Sequence, residues 1–261
     1  MSYPELDAAR ANWRWQPAAD ALAGRVILIT GAGDGIGRAA ARTCATYGAD
    51  VVLLGRTRAK LEAVFDEIAA ATDTQPVIVP ADLLYLDETN VDALRQSIED
   101  GFGRLDGLLH NASMLGLMTP LAAYPASTWR EVFQVNVHAA ALLTGGLMPL
   151  LEASTDASVV FTSSSVGRQG RAFWGAYAAS KFATEGLMQT FADEVDSRDN
   201  VRANSLNPGA TRTTMRAQAY PGENPADVVT PESRMDIYLY LLSGASTAHN
   251  GQAFDARDWT P

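Results

Sequence analysis

A tyrosine and a lysine four residues apart, in Tyr177-Ala178-Ala179-Ser180-Lys181, form the pair in this chain best suited to moving a proton. On a helix, residues at that spacing share a face. A free phenol ionises near pH ~10, too high for ready proton exchange at neutrality. A neighbouring ammonium favours the phenolate and is expected to lower that value. The tuned phenol can then give a proton to a carbonyl oxygen or take one from an alcohol. The spacing by itself is common on helix surfaces, so the surrounding sequence has to carry the reading. Thirteen residues before Tyr177, at the end of an apolar run, stands Ser164 within Thr162-Ser163-Ser164-Ser165-Val166-Gly167. A serine hydroxyl at a strand end can hydrogen-bond a reacting oxygen and orient it. On chemistry alone Ser163 and Ser165 are alternatives.

A second group of residues has the chemistry of phosphate binding. The string Thr30-Gly31-Ala32-Gly33-Asp34-Gly35-Ile36-Gly37 closes an apolar run and opens a helical pattern. Glycines there permit a tight turn and let backbone approach a pyrophosphate, which then sits on the helix N-terminus. The spacing is T-G-x-x-x-G-x-G through Gly31, Gly35 and Gly37, not G-x-G-x-x-G, and no Gly-Lys-Ser/Thr follows to make a nucleoside-triphosphate loop. The next apolar run ends Leu53-Leu54-Gly55-Arg56-Thr57-Arg58. An acid at that end would hold ribose hydroxyls, whereas an arginine accommodates a 2′-phosphate. With no acid at Gly55 and Arg56 next in line, NADP is favoured over NAD.

These residues need a frame, and the apolar patterning supplies one. Short β-type runs at Val26–Thr30, Val51–Leu54, Val77–Val79, Leu105–Leu109, Val159–Thr162 and Val201–Leu206 alternate with helical segments such as Arg38–Tyr47 and Leu61–Ala71. Strands separated by helices predict an α/β fold, a doubly wound (Rossmann-type) parallel sheet of about seven strands in a single domain. Two regions break the rhythm. Residues 1–23, with Trp13 and Trp15, read as an N-terminal arm packed on the body or on a partner subunit. The stretch at about 209–231, with Pro221, Gly222, Pro225 and Pro231, reads as a loop covering the substrate.

Composition narrows the classes further. Hydrophobic residues make up 47% of the 261, enough for a sizeable core, and the net charge of −10 argues against a phosphate-backbone-binding surface and hence against nucleic acid. Three histidines and one cysteine, far apart in sequence, give no metal-ligand spacing. The lone Cys44 excludes an internal disulfide. Neither a signal-like N-terminus nor a run of about 18 apolar residues is found, so a cytoplasmic protein with no membrane partner is expected.

Taken in order, these motifs resemble the short-chain dehydrogenase/reductase family, over residues from about 24 to 255. Thr30–Gly37 is similar to the family's glycine motif, Asp82 to its adenine-contacting acid, Asn111-Ala112 to the core of its N-N-A-G motif, and Asn136 to the asparagine of its catalytic tetrad. Ser164, Tyr177 and Lys181 complete that tetrad, and Asn207-Pro208-Gly209 with Thr213 resembles the segment that holds the nicotinamide carboxamide. Within the family, Phe161–Lys181 and the arginine-rich Thr211–Arg216 resemble most closely the bacterial YciK-like oxidoreductases. The resemblance implies hydride transfer between NADP(H) and a small-molecule carbonyl or alcohol, with Ser164 orienting the carbonyl and Tyr177 as acid/base. Lys181 would lower the tyrosine pKa and bind the nicotinamide ribose, and Asn136 would hold a water leading to solvent. Cofactor contacts would come from Gly31, Asp34, Gly35, Ile36, Gly37, Arg56, Asp82, Leu83, Asn111, Tyr177, Lys181, Pro208, Gly209, Thr211 and Thr213. Reduction is the implied direction, and a homodimer or homotetramer built through the helices of Asn136 and Tyr177 the implied assembly.

Departures from the family pattern are specific. His110 replaces the first asparagine of N-N-A-G and reads as a packing residue, as does His138. Ser113 replaces the glycine, and a positive φ there would be strained. Asp34 stands where many NADP-preferring members carry a basic residue, and the usual glycine pair after Asp255 is absent. Trp174 and Phe173 stand where a substrate pocket would form. Arg168, Arg171, Arg212 and Arg216 flank it, either to bind an acidic substrate or as solvated residues. The competing reading is a non-catalytic dinucleotide-sensing or regulatory protein on the same fold. Such proteins can lose the serine, tyrosine or lysine, and this chain keeps all three.

Overall fold

The computed structural model describes residues 3–261, turns the six apolar runs into strands and adds a seventh: β1 (Val26–Thr30), β2 (Asp50–Gly55), β3 (Val77–Pro80), β4 (Gly107–His110), β5 (Ala157–Thr162), β6 (Val201–Asn207) and β7 (Ala253–Asp255). All neighbours pair in parallel, in the order β3-β2-β1-β4-β5-β6-β7. Strands β1, β2 and β5 are largely apolar because helices cover both faces, while β6 buries Arg202, Asn204, Ser205 and Asn207. Side chains still alternate. Ile27, Ile29, Val51, Leu53 and Val160 enter the core on one face, and Val26, Leu28, Val52, Leu54, Val159 and Phe161 enter the core on the other. Each fully buried aliphatic side chain contributes about 1.5–3 kcal/mol.

The helices are α1 (Pro4–Arg10), α2 (Gly35–Thr46), α3 (Arg58–Ala71), α4 (Glu88–Phe102), α5 (Ala126–Phe133), α6 (Ala139–Gly146), α7 (Met148–Glu152), α8 (Gly175–Val195), α9 (Thr214–Ala219) and α10 (Met235–Leu242). A single π turn, Gln134–His138, joins α5 to α6 and carries Asn136. The order of strands reverses about β1 and β4, the switch point where open parallel sheets bind ligands beyond the carboxyl ends of their strands.

Helices α2 and α3 begin at Gly35 and Arg58, before the apolar periodicity does, because their first turns are glycine-rich or charged. The N-terminal arm packs on the body. Tyr3, Leu6, Trp13 and Leu22 are buried in the core beside α2 and α10, and Arg42 lies 3.8 Å over the Tyr3 ring. Trp13 Nε1 also donates to the Glu232 carbonyl at 2.9 Å. The stretch after Gly209 is not a bare loop. It holds α9, capped by Thr213 Oγ1 accepting from Arg216 N at 3.1 Å, followed by short 3-10 turns.

Candidate active site

The phosphate turn is built by close approach. A Cβ on Gly37 would stand 2.2 Å from the Gly31 carbonyl oxygen, so no other residue fits. Gly31 and Gly35 take positive φ values of 70° and 51°, which only glycine adopts without strain. Thr30 Oγ1 accepts from the Asn111 and Ala112 amides at 2.9 and 3.0 Å, and Asn111 Nδ2 donates to Thr30 O at 3.1 Å. This locks the end of β1 to the segment after β4. Across the turn, Thr213 packs against Gly35, its Cγ2 3.1 Å from where a Cβ would sit. Gly31, Gly35, Ile36, Gly37, Asn111 and Thr213 are thus brought together at one edge of the sheet, as the motifs predict.

Asp34 caps α2, accepting from Gly35 N at 2.7 Å, and binds Lys60 Nζ at 2.5 Å. Lys60 and the cap together hold its carboxyl below the usual carboxylate range. The Ile36 and Gly37 amides have no backbone partner among the described residues and remain available to an anion. Lys60 is a cation that sequence reasoning passed over. Its signal was Asp34 itself, an acid at a position that calls for a compensating base. At the end of β2, Arg58 is paired with Glu62, while Arg56 is exposed and makes no ion pair among the described residues. A glycine cradle, open amides and an unpaired guanidinium fit a dinucleotide carrying a 2′-phosphate. Asp82 caps the turn before the buried Leu83, accepting from Leu84 N at 3.0 Å. Asn207 Oδ1 accepts from Gly209 N at 3.0 Å and shapes the Pro208-Gly209 bend, and the Thr211 hydroxyl turns back onto the Gly209 carbonyl at 3.3 Å.

The proton-transfer residues converge beyond β4 and β5. The hydroxyls of Ser164 and Ser113 face the phenol oxygen of Tyr177 and favour its ionised form, but burial outweighs them and pushes the phenol up to about 12. Here the structure corrects two expectations. Lys181 does not bring the tyrosine pKa below its ordinary value, because burial outweighs every lowering influence. Its ammonium donates to the Thr162 carbonyl at 2.8 Å and sits 5.6 Å from the centre of the phenol ring, while burial pulls its own pKa down to about 8. Ser113 is also unstrained, since Phe173 is the one non-glycine residue with positive φ among those described. Ser163 is occupied elsewhere, donating to Glu185 Oε1 at 2.5 Å, and Ser165 is exposed, which leaves Ser164 as the serine facing Tyr177.

Asn136 fixes this corner. Its amide accepts from Met114 N at 2.7 Å and donates to Met114 O at 3.0 Å and to Ser180 Oγ at 2.9 Å. Glu185, one turn beyond Lys181, is buried and accepts from Ser163, Arg168 and Ser205. Its place four residues after Lys181 was the available signal, and sequence reasoning missed it. Over Tyr177 lies a small apolar cluster of Leu115, Val166, Ala178 and Trp174, closed from above by Met215 and Ala219 of α9. The Trp174 ring is 5.7 Å from that of Tyr177 and 5.8 Å from that of Tyr220. Phe173 is exposed. None of the four flanking arginines is idle: Arg168 binds Glu185, Arg171 the Tyr220 hydroxyl, Arg212 the Val228 carbonyl, and Arg216 pairs with Glu223 through two contacts.

The sequence pattern described as short chain dehydrogenase matches residues 25–224, and this chain belongs to that family of oxidoreductases. It is 51% identical to the oxidoreductase YciK of Escherichia coli over 243 residues, covering 93% of this chain and 96% of YciK. A solved short chain dehydrogenase of Shigella flexneri 2a, complexed with NADP, is 51% identical and superposes with a TM-score of 0.90 over 92% of this chain and all 100% of its own. One from Escherichia coli CFT073, complexed with NADPH, matches at 51% identity and a TM-score of 0.90, again over 92% of this chain and 100% of that one.

Proposed function

We propose that this chain is an NADP(H)-dependent reductase of a small-molecule carbonyl, able to run in reverse on the alcohol, with Tyr177 as the acid/base. The observation that carries the proposal is the meeting of the Tyr177 phenol, the Ser164 hydroxyl and the buried Lys181 ammonium beside the glycine turn. Two relatives superposing at TM-scores of 0.90 hold NADP or NADPH, which supports the same cofactor here.

When bound, the cofactor supplies the hydride. The amides of Ile36 and Gly37 would hold its diphosphate, Arg56 its 2′-phosphate, Asp82, Leu83 and Asn111 its adenosine half, and Pro208, Gly209, Thr211 and Thr213 its nicotinamide half. The chain's own residues do the rest. Ser164 donates to the carbonyl oxygen and holds it against the phenol. Tyr177, with a pKa of about 12, stays protonated at neutral pH and is a ready donor to the far more basic alkoxide. The Lys181 ammonium then faces the phenolate left behind and stabilises it. Asn136 keeps the segment around Met114 and the α8 backbone in register. Helix α9 with Trp174 keeps water from the site. The domain consists of residues 24–261, with 1–23 as an integral arm and 209–231 as the substrate cover, and it assembles as a homodimer or homotetramer.

The deciding experiment is Tyr177→Phe assayed with NADPH against a panel of carbonyls. Turnover falls by at least a thousandfold while NADPH binding, read by fluorescence titration, stays within about twofold. A variant reducing its substrate at the normal rate would remove Tyr177 from the mechanism. A dinucleotide-sensing role has no separate observation in its favour.

A further inference from the structure

The two segments that frame the Tyr177 phenol carry no charge. Residues 111–129, after β4, and residues 172–180, leading into α8, contain no Asp, Glu, Lys or Arg. They meet beside the site: Thr119 N donates to the Phe173 carbonyl at 3.2 Å, and Leu117 N donates to the Tyr124 hydroxyl at 3.0 Å. The Tyr124 ring in turn lies against the start of α8, where a Cβ on Gly175 would stand 2.9 Å from it. Seven large hydrophobic side chains are exposed among the described residues, and four of them, Leu117, Met118, Leu121 and Phe173, belong to these two segments. Leu117 and Phe173 lie within two residues of Leu115 and Trp174, which pack over the phenol, so the apolar wall of the site continues outward onto them.

Phe173 is the residue of this rim that the fold itself does not explain. Its φ of 73° is costly for any residue with a Cβ, and most of all for a bulky one. Its ring is 55% exposed, so packing within the free protein offsets little of that cost. Glycine or asparagine would hold the same backbone with less strain. Strained backbone concentrates where a ligand is gripped. The nearby cations, meanwhile, are committed. Arg171 donates to the Tyr220 hydroxyl, Arg212 to the Val228 carbonyl, Arg168 to Glu185 and the Phe254 carbonyl, and Arg216 holds Glu223 while lying 3.7 Å over the Tyr220 ring. An anionic substrate would have to break one of these contacts, whereas a neutral one leaves them all intact.

We propose that Leu117, Met118, Leu121 and Phe173 form the specificity rim of the site, and that the substrate is a neutral carbonyl compound with an extended apolar group that covers the Phe173 ring. Its consequence for turnover rests on the reading of Tyr177 as acid/base, whereas the rim's preference is a property of binding and is measured without turnover. The carbonyl oxygen meets Ser164 and Tyr177, and the apolar group runs outward over Trp174 to Phe173. Removing rim and substrate carbon from water together supplies the discrimination.

Two sets of probes separate binding from turnover. N-alkylformamides from butyl to decyl offer a carbonyl oxygen to the same donors but are not reduced. Aldehydes of the same chain lengths report reduction, with adipic semialdehyde as the anionic counterpart of hexanal. Formamide binding to the NADPH-loaded protein, measured by calorimetry, tightens about two- to fourfold for each added methylene. The aldehydes' kcat/KM rises in step, and hexanal is preferred over adipic semialdehyde by about tenfold. Phe173→Asn keeps the left-handed backbone and relieves its strain, so its Tm rises. The same variant binds decylformamide about tenfold more weakly and butylformamide within about twofold of wild type, and its loss on decanal falls on KM rather than kcat. A merely structural defect would lower Tm and weaken every probe alike. Binding independent of chain length, equal losses for short and long probes in Phe173→Asn, or a preference for adipic semialdehyde would each overturn the proposal. Formamides that bind with the expected slope to a wild type that reduces no aldehyde would sink the proposed function and leave the rim standing.

Discussion

At the scale of single residues, the site sets one buried base against one buried acid. Lys181 leaves its ordinary value of 10.5 for about 8 because the ammonium loses its hydration inside the fold. Between those two values the unfolded chain holds a proton that the folded chain has released, so stability rises with pH across that window and is flat below it. Burying the charge lowers stability below pH 8 by on the order of 3 kcal/mol. Lys181→Met removes the penalty. Urea midpoints of wild type and variant should differ most below pH 8, the variant being the more stable, and converge toward pH 10.5; parallel curves would show that burial does not penalise the charged lysine. Arg56 is a second residue-scale test. It is exposed and unpaired among the described residues, and the proposed function gives it a charge-assisted contact to a 2′-phosphate. Arg56→Ala should weaken NADPH binding about 10- to 100-fold and leave NADH unchanged, as measured by fluorescence titration. Equal losses for both cofactors would place the 2′-phosphate elsewhere, with Lys60 the next cation to examine.

At the scale of elements, the segment after Gly209 is tied at both ends. Helix α9 is braced by the Arg216–Glu223 pair, while the turn before α10 receives Trp13 from the N-terminal arm. Arg14 reaches further, donating from its backbone to Asp236 at 3.0 Å and from its side chain to the carbonyls of Arg257 and Trp259. The arm is therefore tied to the turn before α10, to the first turn of α10 and to residues 257 and 259. Trp13, 6% exposed, fills core volume as well as holding the Glu232 carbonyl. Trp13→Ala should lower stability by about 3–5 kcal/mol in urea unfolding. A loss below 1 kcal/mol would mean that the arm rests on the surface. Strands β1 to β6, α2, α3 and the glycine turn were legible in the sequence, because their patterns are periodic or sterically obligatory, whereas the three residues of β7 show no such pattern. Helix α9 was not, since six residues among prolines and glycines show no period and the helix exists through its Thr213 cap and its packing on Trp174 and Tyr177.

At the scale of the whole molecule, Phe182 stands 46% exposed on α8, the helix of Tyr177 and Lys181. Alongside α5 and the π turn, Trp129 and Phe133 stack 5.6 Å apart next to an open groove that also takes in Leu84, Gln134 and His138. Apolar side chains on these two helices suit a self-complementary interface. Sedimentation equilibrium should give two or four times the 27.8 kDa chain mass, and Phe182→Glu should shift the population toward monomer. A wild-type monomer at micromolar concentration would remove the assembly part of the proposal.

What this sequence determined by itself is whatever local pattern dictates: six apolar runs between helices, a turn where only glycine fits, a tyrosine and a lysine one helical turn apart. Tertiary structure decided the electrostatics. Whether an ammonium lowers a phenol's pKa depends on where the chain folds its charge, and here Lys181 is drawn to the Thr162 carbonyl while burial raises Tyr177. It also decided which serine faces the phenol, because Glu185 takes Ser163, and which cations are spoken for, because Asp34 takes Lys60 and leaves Arg56. Partners distant in sequence meet only once the sheet has formed. Their energies depend on distance and burial, which no spacing along a chain encodes.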